Sequence, residues 1–233
     1  MIISVIMISI LSTLQSVFSY TINNHSASLD RRKLFKDTYQ YINYLLLAAL
    51  TMIIVSQLLY YILVNYFLVN YKDSGPIFII FSTMAYFHAM FIIPSAILGS
   101  SVMRKEKVIA MIMSIGIISS IIFNAVSVNF GWKGEGIALG TVLSQLVVAS
   151  LTLFFFKKYT GMMITRFLYE ISLLTTIIII YSCSFYYMAF NNYQIWYLIL
   201  SCFIGLSTVL LFSKLYLNIK IVILINYLKR NYK

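Results

Sequence analysis

The chain has 233 residues, of which 61% are hydrophobic and 10% are charged. Soluble domains average about 45–50% apolar and about 25% charged residues, so this composition excludes a soluble globular protein. Nine glycines, two prolines and two cysteines also exclude a collagen-like chain and a disulfide-stabilised scaffold. The apolar residues form long unbroken runs, which predict an all-α polytopic membrane protein rather than a β-barrel.

Seventeen basic and six acidic residues give the chain a net charge of +11. In a soluble domain, such an excess would indicate nucleic acid as a partner. Here the basic residues lie in short clusters between apolar runs, a pattern typical of loops held at an anionic cytoplasmic membrane surface. We therefore expect membrane lipid, and no nucleic acid, among the partners.

Charged breaks divide the chain into apolar segments, each close to the ~20 residues that cross about 30 Å of hydrocarbon. Seven segments are marked in this way, at about residues 2–20, 41–69, 76–100, 108–129, 136–156, 167–190 and 193–213. We expect residues 1–214 to form one transmembrane bundle. Residues 215–233 are expected to form a cytoplasmic tail. Within it, residues 215–228 alternate Lys220 and Asn226 with Ile, Val and Leu, which predicts a helix along the membrane interface.

The basic residues are distributed unevenly between successive breaks. The first, third and fifth breaks and the tail hold fifteen of them, whereas the other breaks hold only Lys72 and Lys133. Because cytoplasmic loops carry the excess of Lys and Arg, the amino terminus is predicted outside and the carboxyl terminus in the cytoplasm. No basic residue precedes the first segment, which indicates a retained helix rather than a signal peptide.

Residues 131–144 contain a series of small residues. Gly131, Gly134 and Gly136 predict a tight outer turn between the fourth and fifth segments. Gly136, Gly140 and Ser144 recur every four residues, so one face of the fifth helix allows a neighbouring helix to approach closely. Such stripes are also ordinary packing in membrane bundles, and spacing alone favours that interpretation.

Polar residues inside the apolar segments are candidates for lining a substrate path. The candidates are His88, Gln57, Asn124, Gln145 and Arg166. An ionisable group inside a membrane is costly and indicates function by default, so His88 can relay a proton or contact a polar substrate. The alternative for His88 and the three amides is a hydrogen bond to a neighbouring helix. For Arg166, an interfacial ion pair with Glu170 four residues later is the favoured interpretation.

Pro94 lies inside the third segment, where it is expected to kink the helix. The kink is either static or part of a cavity wall, as in the broken helices of transporters. The chain contains no Ser-His-Asp set, no zinc-protease motif, no P-loop and no carboxylate pair, and Cys183 and Cys202 lack metal-ligand spacing. We therefore expect no catalytic residue, no metal site, no cofactor and no enzymatic activity.

Three stretches carry a resemblance to a known family. They are the basic loop at residues 23–36, the end of the third segment with its loop at residues 94–107, and the glycine-rich stretch at residues 131–144. In this order and with this sidedness, they resemble the C-terminal half of bacterial polysaccharide flippases of the MATE-like MOP superfamily, with O-antigen and lipid-linked oligosaccharide translocases nearest. The resemblance implies that the seven segments correspond to the eighth to fourteenth helices of that family.

The resemblance also implies a role in lipopolysaccharide and other polysaccharide biosynthesis. Such flippases move an undecaprenyl-pyrophosphate-linked glycan across the bacterial inner membrane. Alternating access needs two lobes, so we expect a partial or truncated transporter that works with a missing amino-terminal half or a second chain. A multidrug exporter of the same superfamily, a membrane-embedded polysaccharide polymerase and a purely structural subunit are the alternatives. The exporter would need an acid near mid-membrane, and the polymerase would need a large outer loop.

Overall fold

The computed structural model describes residues 31–100, 103–160, 165–190 and 195–216, together with Ser9, Thr13 and Ser16. The long helices are α1 (Arg31–Tyr66), α2 (Gly75–Leu98), α3 (Glu106–Asn129), α4 (Lys133–Thr160), α5 (Thr165–Phe190) and α6 (Ile195–Tyr216). A short 3-10 helix, Val69–Ser74, joins α1 to α2. Within the described ranges there is no strand, so the predicted all-α fold is confirmed.

Within the described residues, five helical stretches are long and apolar enough to cross a membrane. They are Tyr41–Tyr66, Val69–Leu98, Glu106–Asn129, Lys133–Thr160 and Ser172–Ala189, and the apolar stretch Ile195–Leu211 in α6 is shorter. The chain is therefore a multi-pass membrane protein, and α1 to α6 correspond to the second to seventh predicted segments. Apart from the three single positions named above, the segment at residues 2–20 lies outside the described residues, as do residues 217–233 of the expected interfacial tail.

Two helices begin earlier than hydropathy predicts. The basic cluster at residues 31–36 was expected in a loop, but it forms the first turns of α1. Lys and Arg have high helix propensity, and hydropathy marks only the part of a helix that lies in hydrocarbon. In the same way, α4 begins at Lys133, so Gly134 and Gly136 belong to the helix. Only Gly131, with a φ of 73°, is a glycine of the turn itself.

The central helix of the bundle is α2. It packs along α1 on one side and along α4 on the other, and it also contacts α5. Large side chains on several of its faces are buried, including Tyr86, Ile92 and Ile97. A helix surrounded in this way needs no amphipathic stripe, which explains its nearly uniform apolar sequence.

The outer helices leave apolar surface open. α6 packs on α1 and α5, whereas α3 packs mainly on α4. On α3, Ile117, Ile118 and Ile121 are 57–64% exposed. Lipid tails are as apolar as these side chains, so exposed aliphatic residues in a membrane protein are solvated by lipid. We therefore assign the outer face of α3 to the lipid.

Candidate functional site

The glycine stripe of α4 lies against α3. A Cβ built on Gly140 would lie 2.5 Å from Asn124 Oδ1 and 3.1 Å from the carbonyl carbon of Phe123, and one on Gly136 would lie 2.8 Å from Ser127 Cβ. A real Cβ could not lie this close to other atoms. The two helices can therefore approach as they do only because glycine has no side chain. The two helices are antiparallel, and their backbones approach closely at both glycines.

The same seam continues towards the other end of α3 and α4. Ser144 is buried and donates a hydrogen bond to the carbonyl oxygen of Thr141 at 2.7 Å. One turn further, Gly116 of α3 lies directly against the side chain of Val148. Small residues therefore line both sides of the seam, on α3 as well as on α4. Gly116 was not singled out from the sequence, although Ser120 follows it at the same four-residue spacing as Ser144 follows Gly140.

Asn124 belongs to this seam rather than to an open path. Its Nδ2 is 3.4 Å from Ser120 Oγ one turn away, and its side chain is partly buried against Gly140. The Oδ1 atom is buried and has no hydrogen-bond partner in the structure. The sequence predicts that Asn124 lines a substrate path and that Gly140 packs against a helix. In the structure these two residues contact each other.

Gln57 is completely buried between three helices. Its Nε2 donates to Ser82 Oγ on α2 at 2.7 Å and to Ser182 Oγ on α5 at 3.2 Å. The Ser82 hydroxyl in turn donates to the carbonyl oxygen of Ile79 at 2.7 Å. The remaining amide oxygen of Gln57 is buried without a partner. This arrangement ties α1, α2 and α5 together and places Gln57 inside the packing.

His88 and Gln145 lie on neighbouring helices at the same level. A Cβ built on Gly134, at the start of α4, would lie 2.7 Å from Ile77 Cδ1, at the start of α2. His88 and Gln145 each follow that contact by eleven residues, which is about three helical turns and returns each residue to nearly the same face. Both side chains are partly exposed, and the His88 ring is 6.3 Å from the Phe91 ring.

The opposite ends of α2 and α4 show that the two helices run in parallel. The Lys105 ammonium group, in the loop after α2, lies 4.7 Å from the ring centroid of Tyr159, in the last turn of α4. The Lys105 amide also donates to the carbonyl oxygen of Leu98 at 2.8 Å. The starts and the ends of α2 and α4 are therefore both in register, which supports the common level of His88 and Gln145.

From these contacts we infer a groove between α2 and α3, with α4 at its base. α2 and α3 come together at one end, where a Cβ on Gly99 would lie 3.1 Å from Ile109 Cδ1, and make little contact elsewhere. Gln145 and Thr141 lie on α4 between the face that meets α2 and the face that meets α3, and both are partly exposed. We call this feature, with His88, Thr141 and Gln145, the α2–α3 groove.

Two further residues were singled out from the sequence, Pro94 and Arg166. Pro94 is buried in the last turn of α2, and the helix continues through it to Leu98. It lines neither the groove nor the cavity described next. Arg166 and Glu170 belong to the first turns of α5, but their side chains lie outside the described residues, so their expected ion pair stays a prediction.

A separate cavity of about 70 Å³ lies between α1, α2 and α5, at the end where α1 turns into α2. Its wall includes Tyr60, Tyr61, Asn65, Lys72, Ile79 and Phe185. Sequence reasoning missed this cavity because its residues come from distant parts of the chain. The only local signal is the four-residue spacing of Tyr61 and Asn65, which places both on one face of α1.

Gly205 of α6 makes a further close helix contact that was not predicted from the sequence. A Cβ at this position would lie 3.0 Å from the Tyr181 ring on α5 and 3.3 Å from Ile54 Cδ1 on α1. Ser201 precedes Gly205 by four residues, but this pair was not singled out from the sequence. The neighbours of Gly205 on α5 and α1 explain why a glycine is needed here. In the described part of the chain, no group of three or more His, Cys, Asp or Glu side chains is placed to hold a metal ion.

Comparison of the chain with protein-family models, with curated proteins and with solved structures found no match. The resemblance of its motifs to a flippase family therefore stays a prediction, and the geometry of the bundle is the independent basis for a functional proposal.

Proposed function

We propose that the chain is one lobe of a bacterial flippase that moves lipid-linked polysaccharide repeat units across the inner membrane. The observation that carries this proposal is the α2–α3 groove, in which His88 and Gln145 stand at one level of two parallel helices. Imidazole and amide groups both donate and accept hydrogen bonds, as sugar hydroxyls do. A row of such groups on a partly exposed surface suits a substrate that carries many hydroxyls.

The open side of the groove supports a two-lobe transporter. A polar head group crosses hydrocarbon only when protein or water surrounds it, because polar and ionised groups are costly in the bilayer. The groove takes its two walls from α2 and α3 and its base from α4, and none of these helices covers its fourth side. We propose that a second lobe, carried by a different chain, faces this side and alternates access by rocking against it.

The charge pattern supports the direction of transport. The groove narrows at Gly99 and Ile109, next to the basic loop that is predicted to be cytoplasmic. We propose that the pyrophosphate contacts come from the second lobe or from the basic loops, since the described spans hold no Lys or Arg in their middle. Translocation needs no covalent step, so the proposed role is not enzymatic.

Complementation tests the proposal directly. A bacterial strain without its own O-antigen flippase is given this chain, either alone or with the amino-terminal lobe of a polysaccharide flippase. We expect surface polysaccharide only from the pair, because one lobe supplies one side of the pathway. Restoration by the chain alone would contradict the single-lobe model, and failure of a correctly inserted pair would contradict the flippase assignment.

Substitutions in the groove separate a specific role from a structural one. His88→Ala and Gln145→Ala should each reduce the complementation obtained with the pair, without lowering the amount of inserted protein. Ser150→Ala, at an exposed position on another face of α4, is the matched control and should leave complementation unchanged. Equal loss from Ser150→Ala would show that the helix as a whole, rather than the groove, is sensitive.

A further inference from the structure

The cavity between α1, α2 and α5 has a wall of fixed aromatic side chains. The Tyr60 ring stacks on Phe78 with centroids 4.1 Å apart, and its hydroxyl is hydrogen-bonded to the Ser74 hydroxyl. The Tyr61 ring meets Phe185 edge-on, with centroids 6.4 Å apart. Because these contacts fix the rings, the cavity is a preformed feature of the bundle.

The polar groups of this wall are suited to an anion. Besides Tyr60, the residues of the wall with polar or charged side chains are Lys72, Tyr61 and Asn65, in a wall that is otherwise largely apolar. The Asn65 amide uses one N–H in a bond of 2.9 Å to the Tyr61 carbonyl oxygen. Lys72 makes no ion pair with any described residue, and no Asp or Glu from the described ranges contributes to the wall. Gly75 also lines the cavity, so the positive end of the α2 dipole faces it.

The position of the cavity favours a ligand that is part of the membrane. It lies where the spans Tyr41–Tyr66 and Val69–Leu98 meet, at the level where both helices leave the hydrocarbon. The surrounding surface is apolar and aromatic, and Tyr66, Phe67 and Tyr71 are each more than 60% exposed. Aromatic side chains of this kind occupy the head-group level of a bilayer. A soluble anion would have to approach across this apolar surface, whereas a lipid already lies within it.

We propose that this cavity binds the phosphate of an anionic phospholipid, with Lys72 as the charged contact and Tyr61 and Asn65 as hydrogen-bond donors. Basic pockets between transmembrane helices hold anionic lipid head groups on the cytoplasmic side of membranes. We propose that the same chemistry operates here at the predicted outer end of the bundle. The acyl chains would then lie along the exposed apolar surface of the bundle. This site is distinct from the α2–α3 groove, and the proposal does not depend on the transport function.

Lipid titration of the purified full chain tests the site. The chain in non-ionic detergent is titrated with short-chain phosphatidylglycerol, with phosphatidylcholine of the same chain length, and with inorganic phosphate, and bound lipid is counted by native mass spectrometry. We expect phosphatidylglycerol to bind in preference to phosphatidylcholine. Inorganic phosphate at the same concentration should not displace it. Equal binding of phosphatidylcholine, or displacement by inorganic phosphate, would overturn the proposal of an anionic-lipid site.

Two lysines provide a matched pair of variants. Lys72→Gln should weaken phosphatidylglycerol binding about five-fold, the effect of one basic residue at an anionic membrane surface. Lys133→Gln changes an exposed lysine that lines no part of the cavity and should leave binding unchanged. Lys72→Arg keeps the charge and should retain binding. Equal weakening by Lys72→Gln and Lys133→Gln, or no weakening by Lys72→Gln, would overturn the role of Lys72.

Discussion

Four polar side chains inside the spans have different surroundings, although their residue types are similar. Gln57 and Asn124 lie within helix contacts, whereas His88 and Gln145 are partly exposed on one groove. Sequence identifies all four as polar residues in apolar segments. It does not separate them, because the partners of Gln57 are serines on two other helices, one of them more than a hundred residues away.

Gln57→Leu should keep the protein folded and active. The Ser82 hydroxyl already donates to Ile79, so the substitution leaves no new orphaned donor there, and it removes the unpartnered oxygen of Gln57. Interhelical hydrogen bonds in membranes average about 0.6 kcal/mol, so we expect a change in unfolding free energy below about 1 kcal/mol. Thermal unfolding in detergent measures it.

Gln57→Glu provides the contrast. It introduces an ionisable group at a position with no exposure to solvent, and such groups are costly inside a membrane. We expect a much lower unfolding temperature and less folded protein. If Gln57→Leu abolishes complementation while the protein stays folded, Gln57 has a role in transport that its buried position does not explain.

Gly140→Ala should destabilise the contact between α3 and α4. The new Cβ would meet the backbone of Phe123 and Asn124, which cannot rotate away. Forcing extra carbon atoms into a well-packed contact typically costs about 1–3 kcal/mol, and Gly140→Leu should cost more than Gly140→Ala. Gly134→Ala is the control, because its Cβ would meet only the mobile end of the Ile77 side chain. Equal unfolding temperatures for Gly140→Ala and Gly134→Ala would contradict the assigned seam.

Among the elements, α3 depends most on a single neighbour. It packs mainly on α4, and the seam passes from Gly116 and Val148 to Asn124 and Gly140. The register of these two contacts places Ser120 opposite Ser144, midway along the seam between the Gly116–Val148 contact and the Asn124–Gly140 contact.

Disulfide formation tests this register. In a background without Cys183 and Cys202, Ser120→Cys with Ser144→Cys should form a cross-link on mild oxidation. The control pair, Ile121→Cys with Ser144→Cys, lies at the same depth, but Ile121 is 64% exposed on the lipid face. A shift in gel mobility after thiol labelling with a large maleimide reports the free cysteines. More efficient cross-linking of the control pair would show that α3 is rotated.

Sequence predicts the existence of the helices better than their ends and contacts. Hydropathy locates the apolar part of each span, because burial in hydrocarbon requires apolar side chains. It does not mark the first turns of α1, which are basic, or the start of α4, which contains Gly134 and Gly136. The sequence of α2 has no single apolar stripe that would show which helices pack against it, because that helix is buried on most sides.

For the whole molecule, the structure places basic groups at alternate ends of the helices. Lys107 is at the start of α3, Lys133 at the start of α4 and Lys158 near its end. Lys107 and Lys158 therefore lie at one end of the α3–α4 pair, and Lys133 at the other. The positive-inside rule assigns the first end to the cytoplasm.

Single-cysteine labelling measures this orientation. In intact cells, an impermeant thiol reagent should label cysteines at positions 73 and 133. Cysteines at positions 107 and 158 should react only after the membrane is opened. All four native side chains are exposed, so accessibility within the protein does not differ between the sites. Labelling of position 107 in intact cells would reverse the proposed topology.

The parallel contact of α2 with α4 has a consequence for how such a chain can change in evolution. Two helices that point the same way across a membrane need an odd number of crossings between them, and α3 provides that crossing. Loss of α3 alone would invert α4 and carry Lys157 and Lys158 to the outer side, against the charge bias. Loss of α3 and α4 together would leave α5 and α6 correctly oriented. Deletions and duplications in this bundle should therefore be tolerated as helix pairs, and the hairpin rather than the helix is its unit of change.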